Sequence, residues 1–316
     1  MGGQMVYAIG ECMIELQRSG QGTAAMDYRF GGDTLNAAVY MARLLDPAVA
    51  QVAYVTGLGT DGMSDEMLAA WQAEGIATDC VQRLPARLPG IYLIETDPDG
   101  ERRFHYWRQD SAARHWLEAP DAGKVLVTLA TARAVYLSGI SLAILSPADR
   151  ELLIAALGQC RGNGGWVVFD NNYRPRLWEG VDTARQVYAK ALAHADIALL
   201  TLDDEVALYG PADGDVADAR AAIERARWLG VGEVVVKRGG ESCLVWKDGQ
   251  TIEVAPAPVA DVVDTTAAGD SFGAAYIAAR LSGEGPEHAA RAGHRLAGEV
   301  IRHRGAIIPR ASMPAR

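Results

Sequence analysis

The second half of the chain alternates between short apolar runs and longer amphipathic stretches. The apolar runs predict strands, and the stretches in which apolar residues recur every three or four positions predict helices. Such alternation is typical of right-handed β-α-β units, in which parallel strands form a sheet that helices cover on both faces. The predicted strands are 134–138, 165–170, 196–201 and 232–237, and the predicted helices are 147–160, 182–193 and 216–229.

The two ends of the chain extend this pattern. Near the N-terminus we predict strands over 5–10 and 51–56 and helices over 33–45 and 64–74, with Asp33 as the N-cap of the first helix. After the alternating region, a β-hairpin over 242–254 turns at Asp248 and Gly249, and two helices follow. These two helices are predicted over 269–282 and 286–301.

Two polar segments break the alternation and predict a small β-sheet. Residues 11–30 are punctuated by glycine, and 90–95 and 101–108 flank a strong turn signal, T-D-P-D-G at 96–100. We expect these segments, about 11–32 and 88–112, to form a lid over one end of the main sheet.

The second arm of this hairpin carries a charge among aromatic residues. Strand alternation places Phe104, Tyr106 and Arg108 on one face and His105 and Trp107 on the other. A surface ladder of aromatic residues would not require the arginine. A carboxylate that leaves water does require a charged partner, so Arg108 favours an acidic ligand.

Composition narrows the classes of function. The chain has 316 residues, 49% hydrophobic and 22% charged, with a net charge of −10. An acidic protein is a poor partner for nucleic acid. The four cysteines form no C-x-x-C pair, and no apolar run reaches about 18 residues, so we expect a cytoplasmic protein without a membrane partner.

The stretch D-T-T-A-A-G-D at 264–270 carries the sharpest chemical signal. Ala267, Ala268 and Gly269 have almost no side chain and precede an apolar helix, so their N–H groups are expected to bind an anion at its N-terminus. Asp270 follows in the first turn. A carboxylate beside an anion site suits a general base that takes a proton from an attacking hydroxyl in phosphoryl transfer. The alternative is that Asp270 only caps the helix.

Two further loops follow predicted strands, where ligands bind in sheets of this kind. The loop D-N-N-Y-R-P-R-L-W at 170–178 contains Arg174 and Arg176, which suit a phosphate or a carboxylate. The alternative is a solvated loop with an arginine paired to Asp170. The segment K-R-G-G-E at 237–241 suits the phosphates or ribose of a nucleotide, or is an ordinary basic turn.

Other chemistries have weaker support. The sequence contains no P-loop, no G-x-S-x-G and no histidine spacing typical of a metal site, so we interpret the six histidines as structural or surface residues. A G-x-G-x-x-G at Gly57, Gly59 and Gly62 leaves open an oxidoreductase that uses a dinucleotide.

Four stretches together resemble the signatures of the ribokinase-like (phosphofructokinase B) family of sugar kinases. They are G-G-D-T-L-N at 31–36, G-L-G-T-D at 57–61, and the two stretches at 170–178 and 264–272. The resemblance covers about residues 5–305. It implies one kinase domain over 1–316 with a three-layer α/β/α fold, a mostly parallel central sheet and a small β-sheet lid. Within the family, G-E-C-M-I-E-L at 10–16 and F-H-Y-W-R at 104–108 look like the kinases of 2-keto-3-deoxygluconate.

The resemblance implies transfer of phosphate from ATP, with Mg²⁺, to the 6-hydroxyl of 2-keto-3-deoxy-D-gluconate. Asp270 matches the general base, and Ala267, Ala268 and Gly269 match the anion hole. The positions that match acceptor-binding residues are Gly32, Asp33, Asn36, Tyr92, Tyr106, Arg108, Arg174 and Asp270. Those expected to bind ATP are Asn172, Arg174, Lys237, Gly239, Gly240, Ser242 and Gly269.

Several points stay open at this stage. The family's N-x-x-E appears here as L-D-D-E at 202–205, which leaves Glu205 as a candidate to hold the metal through water, and a monovalent cation is a further candidate cofactor. Alternative acceptors are fructose, ribose, tagatose phosphate, a nucleoside and 2-keto-3-deoxygalactonate. A catalytically silent sugar sensor is a further alternative. The exposed edges of a small lid favour a homo-oligomer.

Overall fold

The computed structural model describes residues 4–18, 25–96, 102–211 and 215–315. Its strands are β1 (Met5–Ile9), β2 (Met13–Arg18), β3 (Met26–Gly31), β4 (Gln51–Leu58), β5 (Val81–Arg83), β6 (Gly90–Thr96), β7 (Arg102–Trp107), β8 (Ala134–Ser138), β9 (Trp166–Asp170), β10 (Ile197–Thr201), β11 (Glu233–Lys237), β12 (Cys243–Lys247) and β13 (Gln250–Val254). Its α-helices are α1 (Asp33–Leu44), α2 (Gly62–Ala73), α3 (Ala122–Leu129), α4 (Gly139–Ala143), α5 (Pro147–Gly162), α6 (Val181–Leu192), α7 (Leu202–Tyr209), α8 (Asp215–Trp228), α9 (Ala268–Leu281) and α10 (Pro286–Val300).

The larger sheet has nine strands in the order β13-β12-β11-β10-β9-β8-β1-β4-β5. Seven neighbouring strands of this sheet pair in parallel, in the spatial order β11-β10-β9-β8-β1-β4-β5. The remaining two strands, β12 and β13, extend the sheet as an antiparallel hairpin. All five residues of β8 are buried, as a strand covered on both faces requires. This confirms the mostly parallel sheet that the alternating pattern predicts.

Helices cover the two faces of this sheet and create two apolar layers. One layer includes Leu157 of α5, Tyr188 of α6 and Leu208 of α7. The other includes Val39 of α1, Tyr276 of α9 and the apolar side of α10. The arrangement is the three-layer α/β/α fold that the family resemblance implies.

The smaller sheet has four strands in the order β3-β2-β6-β7. Its β2 and β6 are parallel, and the outer pairs are antiparallel. All four strands come from the segments 11–32 and 88–112, as the polar segments of the sequence predict. The expected turn at 96–100 lies almost entirely outside the described residues, as does the connection 19–24.

Two details differ from the sequence-based predictions. The N-cap of α1 is Gly32 rather than Asp33, because the extended backbone of Gly32 precedes the first helical residue. A Cβ on Gly32 would lie 2.1 Å from the carbonyl oxygen of Glu11, so this contact excludes any larger residue. The chain also forms β5, α3, α4, α7 and a 3-10 helix over Ala112–Glu118, which the sequence pattern did not predict.

Within the described ranges, none of the helices combines the length and the apolar character that crossing a lipid bilayer demands.

Candidate active site

A large cavity lies between the lid and the carboxyl ends of the main-sheet strands. Its volume is about 1060 Å³. It brings together all eight residues that the sequence predicts for acceptor binding, together with Asn172 from the predicted ATP set. The predicted residues in its walls are Gly32, Asp33, Asn36, Tyr92, Tyr106, Arg108, Asn172, Arg174 and Asp270.

Asp270 lies in the first turn of α9, where the sequence predicts it. One of its oxygens, Oδ2, accepts a 2.8 Å hydrogen bond from Nδ2 of Asn36 in α1. The amide oxygen of Asn36, Oδ1, is buried without a hydrogen-bond partner in the described chain. A hydroxyl of a bound ligand would satisfy this acceptor.

The environment of Asp270 raises the pKa of its carboxyl to about 7. Burial is the largest cause, and the negative charge of Asp33 is the next. The hydrogen bond from Asn36 opposes the shift, and so does Lys237. A carboxylate with a pKa near neutrality is a stronger base than an ordinary aspartate and is still half ionised at pH 7.

Asp33 accepts two hydrogen bonds from side chains at the ends of two neighbouring strands. Its Oδ2 accepts one from Oγ of Ser138 and one from Nδ2 of Asn172, each at 2.5 Å. Ser138 ends β8, and Asn172 follows β9 with a positive φ of 26°. The carboxylate of Asp33 is therefore oriented by the ends of two parallel strands.

The N-terminus of α9 presents backbone donors beside Asp270. Within the described residues, the N–H groups of Gly269 and Asp270 have no acceptor, as expected for the first turn of a helix. The N–H of Ala268 donates to the carbonyl of Thr265 at 3.2 Å. Ala267 is the N-cap. Of the three predicted anion-hole residues, Ala268 therefore has its donor already engaged.

Lys237, at the end of β11, carries positive charge to the same helix terminus. Its Nζ would lie 3.6 Å from a Cβ built on Gly269. It also donates to Oδ2 of Asp170 at 2.9 Å. The alternative prediction that an arginine pairs with Asp170 is therefore wrong, because Lys237 occupies that position and Arg174 contacts Asp204 at 3.3 Å instead.

Glu205 is engaged with protein groups on both of its oxygens. Oε1 accepts from Nδ2 of Asn171 at 3.1 Å, and Oε2 contacts Nη1 of Arg225 at 2.6 Å. Asn171 in turn fixes the loop after β9, because its Oδ1 accepts the N–H groups of Asn172 and Thr201. These contacts favour a positioning role for Glu205 over metal binding. Among the described residues, no three metal-binding side chains cluster.

The lid contributes an aromatic wall. Phe104 and Tyr106 of β7 stack with ring centroids 6.4 Å apart, and Tyr92 of β6 lies 5.8 Å from Tyr106. The hydroxyl of Tyr92 donates to Oε2 of Glu15 at 2.5 Å, so this ring is locked, while Tyr106 is half exposed. Burial and Glu15 raise the pKa of Tyr92, which keeps its hydroxyl protonated.

Arg108 is buried and forms an ion pair with Glu11, the second residue after β1. Oγ of Ser111 donates to the same carboxylate at 2.5 Å. The Nε–H of Arg108 has no acceptor in the part of the chain that the structure describes. Sequence reasoning missed Glu11, although its position two residues after a buried strand is a signal for a site residue.

The cavity also has walls that the sequence did not predict. They include His105, Trp107, Arg114, Ile140 and Thr266, whereas Arg176 is one of the two arginines that the sequence offers for an anion. Conversely, the predicted ATP residues Lys237, Gly239, Gly240 and Ser242 lie outside these walls, as do Ala267, Ala268 and Gly269. A second cavity of about 520 Å³ lies between the segment 255–261 and α10.

Two of the three glycines of the G-x-G-x-x-G match are required by close packing. A Cβ on Gly57 would lie 2.3 Å from the carbonyl oxygen of Ala112, and one on Gly59 would lie 2.4 Å from that of Arg87. Gly62 begins α2 and does not line the large cavity. This turn is filled by protein, so the structure gives no support to the dinucleotide alternative.

Comparison with known proteins identifies the class. Residues 4–313 match the pfkB family of carbohydrate kinases, so the chain belongs to that family. It is 53% identical to a 2-dehydro-3-deoxygluconokinase of Dickeya dadantii over 313 residues, 98% of each chain. It is 44% identical to the protein of the same name from Haemophilus influenzae over 308 residues, 96% of each chain.

Solved structures give the same fold. A 2-dehydro-3-deoxygluconokinase from Thermotoga maritima has a TM-score of 0.80 and 24% identity, with 96% of this chain and 94% of that chain covered. A putative ribokinase II from E. coli, in complex with ATP and Mg²⁺, has a TM-score of 0.78 and 23% identity, with 96% and 94% covered.

Proposed function

We propose that this protein phosphorylates the 6-hydroxyl of 2-keto-3-deoxy-D-gluconate, also called 2-dehydro-3-deoxygluconate, with ATP as the phosphate donor. The observation that carries the proposal is the composition of one cavity. It holds the carboxylate of Asp270, with a pKa of about 7, at a helix N-terminus and guanidinium groups of four arginines in its walls. A hydroxy acid fits such a site better than a neutral sugar does.

Asp270 is the general base in this proposal. Its ionised form accepts the proton of the acceptor hydroxyl as the oxygen attacks the γ-phosphorus. Asn36 holds the carboxylate in place through the 2.8 Å hydrogen bond. The new O–P bond forms as the bond between the γ-phosphorus and its bridging oxygen breaks, and ADP leaves with that oxygen.

The N-terminus of α9 is suited to the negative charge of the transferred group. The N–H groups of Gly269 and Asp270 and the ammonium of Lys237 are the donors, and the helix dipole adds to their effect. Asn172, Arg174, Gly239, Gly240 and Ser242 remain proposed ATP contacts. Mg²⁺ would be held chiefly by the phosphates of ATP, since the described residues offer no cluster of three ligands.

The acceptor is held between the lid and the main sheet. We assign the sugar hydroxyls to Gly32, Asp33 and Asn36, and the keto-acid end to Tyr92, Tyr106, Arg108 and Arg174. The lid would exclude water from the reacting atoms. The free cysteines are all buried, in keeping with the cytoplasm as the place of action.

The test is an ADP-release assay of the wild type with ATP and Mg²⁺. The acceptors are 2-keto-3-deoxygluconate, 2-keto-3-deoxygalactonate, tagatose phosphate, fructose and ribose. We expect the highest kcat/KM with the gluconate-derived acid. A preference for fructose or ribose would reject the acceptor and keep the kinase, and turnover of none of them would favour the sugar-sensor alternative. Repeating the assay with and without K⁺ tests the monovalent cation.

A further inference from the structure

Arg108, Arg114, Arg174 and Arg176 line the cavity, and they differ in their partners. Arg108 is paired with Glu11, and Arg174 contacts Asp204 and donates to the carbonyl of Tyr173. Arg176 is exposed to solvent, so water satisfies it. Arg114 is partly buried, and within the described chain its guanidinium has no hydrogen bond and no ion pair within 4 Å.

A partly buried guanidinium without a counter-ion is unfavourable, because it has lost water and gained no replacement. Burial lowers the pKa of Arg114 below its ordinary value, and the carboxylate of Glu11 only partly opposes this shift. The other acid near Arg114 is Glu179, and it is already engaged by Arg150 at 3.1 Å. Both neighbouring carboxylates are therefore committed to other arginines.

The charges around Glu11 leave an excess of one positive charge in this wall. Glu11 and Arg108 neutralise each other, so the charge of Arg114 is left over. The Nε–H of Arg108 is also without an acceptor, although the side chain is only 8% exposed. This wall therefore holds one cation without a counter-ion and one buried N–H without an acceptor. An anionic ligand would supply both the counter-ion and the acceptor.

We propose that Arg114 binds the carboxylate of the acceptor, together with the Nε–H of Arg108, and thereby selects acids over neutral sugars. The inference rests on the proposed function, because it concerns the same cavity. The charge of Arg108 is neutralised by its ion pair with Glu11, so Arg108 contributes mainly a hydrogen-bond donor. Arg114 supplies the net positive charge that attracts the carboxylate. Arg114 is a specificity-determining residue in this scheme and has no part in the proton transfer.

The experiment compares the keto acid with its carboxamide, which has the same shape and no charge. kcat/KM is measured for both acceptors with the wild type, Arg114→Gln and Arg114→Lys. A charge-assisted hydrogen bond predicts a loss of about 10- to 100-fold for the acid in Arg114→Gln and a much smaller loss for the amide. Arg114→Lys keeps the charge and should recover part of the preference for the acid.

Arg220→Gln is the matched control, because it removes one exposed arginine of α8 that does not line the cavity. It should leave the ratio of the two kcat/KM values unchanged. Equal losses on acid and amide in Arg114→Gln, or no loss on either, would overturn the role of Arg114. If the wild type does not phosphorylate the acid at all, the proposed function fails first, and the inference fails with it.

Discussion

The carboxylate of Asp270 is surrounded by more negative than positive charge. Asp33 and Asp170 both raise its pKa, and Lys237 is the cation that opposes them. Asn36 can donate a hydrogen bond without adding charge, so it orients the carboxylate and leaves much of its basicity intact. At the scale of single residues, this balance of charges determines the pH above which Asp270 is ionised and can act as a base.

Asp270→Asn removes the base and keeps the size of the side chain. We expect kcat to fall by about 10²- to 10⁴-fold, because the acceptor hydroxyl loses its proton acceptor. The measurement is ADP release at saturating acceptor, with Asp203→Asn, an exposed aspartate of α7, as the control. Retention of more than a tenth of the wild-type kcat would show that another group takes the proton.

The activity should fall as the pH drops through about 7, since the pKa of Asp270 is about 7 and only its ionised form accepts a proton. We expect kcat/KM to give this midpoint. Asn36→Ala removes a hydrogen bond that lowers the pKa, so the midpoint should move upward. A profile that stays flat down to pH 5 would contradict the assignment.

The same pKa predicts the effect of pH on stability. Because the folded protein binds this proton more tightly than the unfolded chain, the contribution of Asp270 to stability is present below about pH 4. It is lost as the pH rises to about 7. Urea unfolding of the wild type and Asp270→Asn at pH 5 and pH 8 measures it: the variant should gain stability relative to the wild type at the higher pH.

At the scale of elements, the site is assembled where strands end and helices begin. β9 ends at Asp170, β11 ends at Lys237, and the first turn of α9 carries Asp270 into the cavity wall. The 2.9 Å pair between Lys237 and Asp170 is almost fully buried, so each partner depends on the other. Lys237 thus has a structural task as well as the proposed catalytic one.

Lys237→Met leaves Asp170 buried without a cation. We expect a loss of about 3–5 kcal/mol in the free energy of unfolding and a loss of about 10²-fold in kcat. The double variant Lys237→Met with Asp170→Asn removes the unpaired charge, so it should regain stability while kcat stays low. Recovery of kcat in the double variant would show that Lys237 acts only through the fold.

The sequence predicts the repeated elements of this fold well and the site contacts poorly. The strands from β8 to β11 have apolar runs and flanking helices with clear periodicity, so the sequence predicts these strands and the helices between them. By contrast, α7 is short, follows a strand directly and has three acidic residues in its first turn, which hides its period. The pairing of Arg108 with Glu11 joins residues 97 positions apart, and no local pattern encodes such a contact.

At the scale of the whole molecule, the lid sheet leaves apolar side chains in solvent. Trp107 is 60% exposed and Tyr28 is 49% exposed, and β3 and β7 are the outer strands of this sheet. Unpaired edges and exposed aromatic residues favour association between copies. The net charge of −10 limits unspecific association, so a defined assembly is expected.

We predict a homo-oligomer in solution. Light scattering during size-exclusion chromatography should give a mass that is a multiple of 33.7 kDa. Trp107→Ser should shift the mass toward a single chain if the lid forms the contact, whereas Trp228→Ser, at an exposed tryptophan of α8, should not. A single-chain mass for the wild type over a wide concentration range would reject the prediction.

The ion pair between Glu11 and Arg108 fixes one point of the smaller sheet to the end of β1. The hydrogen bond from Ser111 anchors the chain three residues further on. A rotation of this sheet about that anchor would also break the hydrogen bond that Tyr28 of β3 donates to Glu66 of α2 at 2.7 Å. In such a rotation the displacement of the sheet is smallest at Arg108 and largest at the far ends of β6 and β7. Substrate entry would accordingly occur from the side opposite the anchor, where the same rotation gives the widest opening.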